Sequence, residues 1–297
     1  MLKQSLYFAN PFHLSTELKQ LVITNKESGE VKKRPIEDLG FVVLDNQQIT
    51  MTQSVMQQLA ENNVAVVICD DKHHPASMLF HLDTNQVQNE RFRAQVEASE
   101  PLRKQLWQQT VKAKINNQAM MLKRIGQDHD DLLYLARQVK SGDTTNEEAQ
   151  AARRYWSKLF GNDFRRERFG MPPNPSLNYG YAYLRAAVAR ALSGSGLLPT
   201  LGIHHHNKYN AYCLADDIME PYRPFVDLLV YEQKQKHDDY HYINKDRKME
   251  FLALLGSDVI INDKNRPLMV ALSETTSSLA ACFEGRETIV KYPIFKV

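Results

Sequence analysis

The 297-residue sequence has few cysteines: Cys69, Cys213 and Cys282 lie far apart. No two stand at the short spacing of a zinc or redox motif, which leaves three buried free thiols rather than a disulfide framework or a thiolate metal centre. No run of 18 or more apolar residues occurs, so no transmembrane helix and no membrane partner is expected. The opening stretch MLKQSLYFANPFHLS has no basic leader followed by a sustained apolar core, so it does not read as a signal peptide, and the expected location is cytoplasmic. Net charge is small as well, +2 from 37 basic and 35 acidic residues. A surface for a polyanion must therefore come from local clustering of basic residues. Internal repeats and low-complexity tracts are absent.

What is present is the composition of a globular protein, 43% hydrophobic and 24% charged, with chain enough for one large or two ordinary domains. Residues 2–8, 18–24, 41–44 and 64–69 are short runs rich in β-branched, leucine and aromatic residues between turn signals, and they read as strands; 54–61 reads as a helix feeding the run VAVVIC. From Asp70 the texture changes, and DDKHHPASMLFHL reads as a linker. His73 and His74 beside Asp70 and Asp71 could form a ligand cluster, but adjacent residues in an exposed linker rarely converge on one ion. Beyond it, amphipathic periodicity predicts helices over 87–97, 102–125, 132–138, 146–160, 177–193, 209–219 and 246–255, with a brief return to strand in the tail. The expected fold is α+β: a β-rich, sandwich-like N-terminal domain over 1–77, then a larger all-α domain over 78–297.

The stretch LGIHHHNKYNAYCLADDIMEPYRPFVD, residues 201–227, is the densest in chemistry. Three histidines precede an acidic cluster, Asp216, Asp217 and Glu220. On a helix, Asp217 and Glu220 stand three apart and share a face, whereas Asp216 is rotated by roughly 100°. Pro221 removes a backbone donor, so the helix is expected to kink or end there. Carboxylates with imidazole suit a divalent ion, Mg²⁺ or Mn²⁺ where oxygens dominate and Zn²⁺ where imidazoles do. Solvated acids beside a surface histidine loop are the plainer alternative. Leu214, Ile218 and Met219 on the same helix set the acids close to a core face, where a charge needs a partner, either a metal or an arginine such as Arg223.

Upstream, TTNEEAQAARRYWSKLF holds Thr145 and, three residues on, Glu148, the pattern of a capping box. Glu148 is thus either a helix start or a carboxylate that completes a ligand set, and local pattern does not choose. Arg153, Arg154, Lys158, Arg165, Arg166 and Arg168 follow, interleaved with aromatics, as either a solvated helix face or a phosphate-binding surface. Tyr179, Tyr181 and Tyr183 in SLNYGYAYLRAAVARAL cannot all share one helix face and read as core tyrosines with satisfied hydroxyls.

The three segments EEAQAARRYWSKLF, SLNYGYAYLRAAVARAL and GIHHHNKYNAYCLADDIMEPYRPFVD, in that order, resemble the CRISPR-associated integrase of spacer acquisition, above all the form found in type II systems. RPIEDLGFVVLD and NNVAVVICDDKHHP look like the same family's β-domain, so the resemblance covers nearly the whole chain. It implies a homodimer paired through the β-domain, a metal-dependent site in the helical domain with Mg²⁺ or Mn²⁺, and a small ferredoxin-like second subunit. The RNA-guided effector nuclease is a further implied partner. The substrates implied are double-stranded DNA, both the short spacer precursor and the repeat array, joined by attack of DNA 3′-hydroxyls on phosphodiesters. The family's glutamate falls on Glu148, its histidine on His205, three after Gly202, and its last acid on Glu220, as metal ligands. Asp217, in the catalytic set, is implied as an accessory ligand or as support for one. Many relatives carry aspartate at the last position, so glutamate here lengthens that arm by one methylene. The DNA-binding residues implied are Arg153, Arg154, Arg165, Arg166, Asn178 and Lys208. A metal-dependent nuclease without joining activity, and a non-catalytic DNA-binding scaffold, are the rival functions.

Overall fold

The computed structural model describes residues 3–71, 73, 75–79, 85–236 and 243–296. It divides into two units, Met1–Gln86 and Val87–Val297. The first carries β1 (Gln4–Phe8), β2 (Phe12–Glu17), β3 (Gln20–Asn25), β4 (Val31–Pro35), β5 (Leu39–Leu44), β6 (Thr50–Met51), helix α1 (Gln53–Glu61), β7 (Ala65–Cys69) and β8 (Pro75–Leu79). They form two four-stranded sheets, in the orders β1-β5-β7-β8 and β4-β3-β2-β6. Leu14, Leu21 and Ile23 from one sheet, Leu39, Val42 and Val66 from the other, and Val55 and Leu59 from α1 close a single apolar core. Every residue of β5, LGFVVL, is buried, which is why that strand reads as a continuous apolar run rather than an alternating one.

Three features of this unit depart from expectation. The run over 18–24 contains a turn: Leu18 and Lys19 have φ of 48° and 62° and join Glu17 to Gln20 as a two-residue hairpin loop, a conformation that favours Asn-Gly and so gives no sequence signal here. β4 reads VKKRP and is solvent-exposed apart from its last residue. Charge on an edge strand guards its free side and removes the hydrophobic alternation by which strands are recognised. The segment read as a linker carries β8, antiparallel to β7, and the units divide after Gln86. Of the histidine cluster there, His74 lies outside the described residues, and His73 Nδ1 pairs with Asp45 of the same unit at 2.8 Å.

The second unit is mostly helical: α2 (Gln88–Val96), α3 (Glu100–Arg124), α4 (Asp130–Gln138), α5 (Glu147–Phe160), α6 (Asn174–Gly194), α7 (Cys213–Met219), α8 (Arg223–Lys236) and α9 (Lys245–Ala253), then a hairpin β9 (Asp258–Ile261) and β10 (Lys264–Pro267), and α10 (Leu268–Phe283). The hairpin turns on Asn262 and Asp263, with φ of 49° and 59°, and Ile294 of the tail bridges to Ile260. Helix α3 is the axis: Leu106, Trp107, Val111, Ile115, Ala119 and Leu122 along its length are buried.

Helices α8 and α10 escaped the periodicity reading for different reasons. Prolines 221 and 224 suggest a stop. In the fold α7 passes through one tight 3₁₀ turn at Glu220–Tyr222 and continues as α8, because a proline in the first turn removes an N–H that has no helical partner anyway. In α10, LMVALSETTSSLAACF, apolar and hydroxyl residues fill all faces and blur the 3.6 period; Thr276 Oγ1 returns its hydrogen to the Leu272 carbonyl at 3.0 Å. Helix α7 also starts later than residue 209, since Asn207 and Asn210 side chains accept the amides of Tyr209 and Tyr212 at 2.9 and 3.0 Å and hold those residues in turns.

Candidate active site

The fold decides the ambiguity at Glu148. Helix α5 begins after Asn146, which is left-handed and makes no side-chain cap. Asp143 does the capping instead, accepting the amides of Glu147 and Glu148 at 2.9 and 3.1 Å. The capping box suggested by Thr145 and Glu148 therefore does not form, and the Glu148 carboxylate is released to point elsewhere.

It points at Lys114 of α3, whose ammonium lies 2.5 Å from Glu148 Oε1 and 2.5 Å from Glu220 Oε2. Two acids, from α5 and from the kink between α7 and α8, thus share one cation. Arg223 Nε lies 2.9 Å from the other oxygen of Glu220. Lys114 and Glu220 are almost fully buried. Burial pushes the Lys114 ammonium toward losing its proton, but Glu220 and Glu148 outweigh that and hold its pKa above the usual lysine range. Burial likewise pushes the Glu220 carboxyl up, and the charges of Arg223 and Lys114 win and hold it low. Lys114 and Arg223 thus each engage one oxygen of Glu220.

His205 and Asp217 form the second half. Asp217 is fully buried and accepts the amides of Ile203, His204 and His205 at 2.8, 3.0 and 3.2 Å. Its Oδ1 also lies 2.5 Å from His205 Nδ1. A carboxylate only accepts, so Nδ1 carries a proton, and in the neutral imidazole Nε2 is the nitrogen that holds the lone pair. This hydrogen bond, ahead of the opposing effect of burial, raises the His205 pKa, and the charge of Glu220 adds to it. All four partners of Asp217 come from the histidine loop, so its role here is to shape that loop and fix the imidazole.

The neighbours of His205 are engaged otherwise. His204 stacks face to face on Trp107, centroids 4.1 Å apart with 1° between planes, and burial, then the charge of His205, lowers its pKa. His206 Nδ1 pairs with the His204 carbonyl at 2.9 Å. Asp216 turns away, as its 100° offset on a helix requires, to Arg185 at 2.6 Å and Asn210 at 2.7 Å. Gly202 fits by size rather than by φ: a Cβ there would overlap the His205 carbonyl oxygen and stand 2.8 Å from Asp217 Oδ2.

Among the described residues no three acidic, histidine or cysteine side chains stand at coordinating separation. Glu148 and Glu220 are drawn together through Lys114, and His205 is near enough to feel the charge of Glu220. Two carboxylates and one imidazole with a free Nε2 are a donor set suited to a hard divalent ion. Sequence reasoning missed Lys114 and Trp107, each one turn-face of a long helix with nothing in its local pattern to mark it. Arg223, the arginine the sequence offers as a partner for the acids, pairs with Glu220.

The basic residues divide into two groups. Arg153, Arg154 and Arg165 are exposed, with Arg154 3.6 Å from Asp131 and Arg165 folded onto the carbonyls of Asn162 and Phe164. Lys208 is exposed, 4.8 Å from the Tyr209 ring, and lines a cavity of about 420 Å³ together with His205, Arg103 and Asn207. Arg166 and Asn178, by contrast, are spent on each other at 2.7 Å, with Arg166 also bound to Asn174 at 2.9 Å. The tyrosines are buried: Tyr179 and Tyr183 pair through their hydroxyls at 2.9 Å, and Tyr181 donates to Asp227. All three cysteines are buried and none is in a disulfide.

The chain is similar to known proteins in both sequence and fold. The family model described as "CRISPR associated protein Cas1" matches residues 6–252. A CRISPR-associated endonuclease Cas1 from Neisseria meningitidis serogroup C (strain 8013) is 36% identical, over 94% of this chain and 91% of its own length. In fold the chain is similar to a casposase bound to integration product, with TM-score 0.79 at 19% identity over 97% of this chain and 92% of that one. It is also similar to part of a Cas6-RT-Cas1–Cas2 complex, with TM-score 0.70 at 20% identity over 96% of this chain and 35% of that one. No described helix is long and apolar enough to cross a membrane. Since the family match reaches into both units and the Neisseria relative aligns nearly end to end, this chain belongs to the Cas1 family of CRISPR-associated proteins.

Proposed function

We propose that this protein is a metal-dependent DNA integrase that inserts short duplexes into a CRISPR repeat array, with the terminal 3′-hydroxyl of the incoming DNA as nucleophile. The observation that carries the reading is the pair Glu148 and Glu220, brought from distant helices onto one cation beside an imidazole whose protonation site is fixed by Asp217. A Mg²⁺ or Mn²⁺ ion held by Glu148, Glu220 and His205 Nε2 would polarise the scissile phosphate and offset charge on its oxygens. The chain's own side chains do the rest. Asp217 keeps the proton on Nδ1, Arg223 keeps Glu220 ionised, and Lys114 offsets the charge of the two acids. Arg153, Arg154, Arg165 and Lys208 are the exposed cations available to phosphate; Arg166 and Asn178 shape the surface from beneath. The reading includes a homodimer, a small ferredoxin-like second subunit and the RNA-guided effector nuclease as partners, and the Cas1–Cas2 assembly among the proteins of this fold supports the second of these.

The test is a strand-transfer assay with a labelled short duplex, a supercoiled plasmid bearing repeats, the small subunit and Mg²⁺ or Mn²⁺. Joined product is expected, falling by roughly 10² or more in Glu148→Gln, Glu220→Gln and His205→Ala, the scale of losing one charge-stabilising group, while duplex binding is retained. Cutting without joining would establish the nuclease reading, and binding without any metal-dependent strand chemistry the scaffold reading.

A further inference from the structure

The 3₁₀ turn over Glu220–Tyr222 has to hold a buried acid in place although Pro224 offers no N–H to the Glu220 carbonyl, which takes the amide of Arg223 instead. A turn this short makes few bonds of its own. Its position is fixed from outside, by α3 and by the tail that follows α10.

Helix α3 grips the turn from two residues of one face. Lys114 pairs with the Glu220 carboxylate, and Asn117, three residues on and so on the same side of the helix, donates from Nδ2 to the Pro221 carbonyl at 2.8 Å. Asn117 is almost fully buried. Its Nδ2 also donates to the Pro293 carbonyl at 3.0 Å, and its Oδ1 accepts the Phe295 amide at 3.0 Å. The tail thus decides which way this carboxamide faces. Turned over, it would set its NH₂ against the Phe295 N–H and its oxygen against two carbonyls, so with the tail in place the NH₂ faces Pro221.

The tail is itself strapped along α3. Gln109 pairs with it as a strand would, donating to the Thr288 carbonyl at 2.9 Å and accepting the Val290 amide at 2.8 Å. Farther on, the Phe295 ring packs on Phe225 of α8 with centroids 4.8 Å apart. A second junction joins tail and turn: Thr275 of α10 donates to the Lys291 carbonyl at 2.6 Å, which leaves its oxygen to accept from the Tyr222 hydroxyl at 2.7 Å. Residues 291–295 therefore reach both residues that follow the acid, Pro221 and Tyr222.

We propose that Asn117 is a positioning residue of the strand-transfer site: oriented by the tail, it holds the Pro221 carbonyl and so sets the Glu220 carboxylate where it can share a divalent ion with Glu148 and His205. This rests on the metal reading above. The tail is thereby part of the active site although it contributes no ligand.

The test is Mn²⁺ binding by the full chain, read by calorimetry, beside the melting temperature and the Mn²⁺ dependence of strand transfer. Asn117→Ala is expected to weaken Mn²⁺ binding about tenfold and to raise the half-activating Mn²⁺ concentration by the same factor, with the rate largely restored at saturating Mn²⁺. Gln109→Ala loosens the tail without touching the turn, so its Mn²⁺ affinity should stay within about twofold of the unaltered value. Tyr222→Phe cuts the second junction by removing one hydroxyl and should weaken Mn²⁺ binding about threefold. An Asn117→Ala protein that melts lower but binds Mn²⁺ as the unaltered chain does overturns the proposal, since a residue that only supports the fold moves the first quantity and not the second. Should Asn117→Ala not fold, an unchanged Mn²⁺ affinity in Tyr222→Phe overturns it. So does an equal loss of affinity in Gln109→Ala. Failure of the unaltered chain to take up Mn²⁺ overturns the metal reading, and this inference with it.

Discussion

Replacing Asp217 by asparagine separates loop architecture from metal ligation. The carboxylate serves four donors, the amides of Ile203, His204 and His205 and the Nδ1 of His205. Asparagine keeps one acceptor oxygen and turns the other into an NH₂ donor. If its oxygen faces Ile203 and His204, the NH₂ meets the His205 amide and forces Nδ1 to accept, which moves the proton to Nε2 and removes the lone pair a metal needs. If the amide is reversed, the NH₂ confronts two backbone N–H groups. Either way at least one buried donor loses its partner, and the remaining bonds lose their charge assistance, at about 1–3 kcal/mol for each affected group. The expected destabilisation is roughly 2–4 kcal/mol, a fall in melting temperature of about 5–10 °C. Affinity for Mn²⁺, read by calorimetry, should fall by about 10- to 100-fold, as for loss of a residue that orients a ligand. His205→Ala should lower the affinity without the same loss of stability, because all three amides keep their acceptor. Asp217→Asn protein with an unaltered melting temperature and an unaltered Mn²⁺ affinity would refute the reasoning.

Gly202→Ala places a methyl against the His205 carbonyl and the Asp217 carboxylate, so strand transfer should drop by about tenfold or more through misplacement of His205; normal activity would show that the loop adapts freely. Asp227 is buried between the hydroxyls of Tyr155 and Tyr181, and burial, against the pull of those hydrogen bonds, pushes its pKa up to about 7. Because the folded value is raised, the stability Asp227 contributes is complete below about pH 4 and is lost as pH rises through about 7; Asp227→Asn should flatten that decline and leave the variant more stable at pH 8, by up to about 4 kcal/mol. Denaturant unfolding from pH 4.5 to 8.5 checks this, and parallel profiles would contradict it. In the β2–β3 hairpin, Leu18 and Lys19 hold positive φ, so Leu18→Asn with Lys19→Gly should raise stability by about 1 kcal/mol; a lower urea midpoint would count against the turn.

Much of the plan is written in local pattern. The apolar runs of β1, β5 and β7 and the periodic helices α2 to α6 declare themselves, because each buries a face whose spacing its own residues set. The acids after Gly202 are also legible: Asp217 and Glu220 share a helical face and Asp216 does not, a matter of 3.6 residues per turn. The register G-x-x-H singled out His205 from three adjacent imidazoles only through family resemblance; the sequence alone treats them alike. Where local chemistry was ambiguous, tertiary structure decided. Thr145 and Glu148 have the letters of a capping box, but Asp143 took the cap and left Glu148 to pair with Lys114. Arg166 and Asn178 carry no sign in the sequence of the bond between them, which the fold makes across twelve residues. Lys114 has no signal of its own, since a lysine on a long helix is ordinarily solvated. It becomes the centre of the site because two acids, one 34 residues away along the chain and the other farther still, are folded onto it. Pairing across such separations depends on the packing of α3 against α5 and the α7–α8 kink, and no window of sequence contains it.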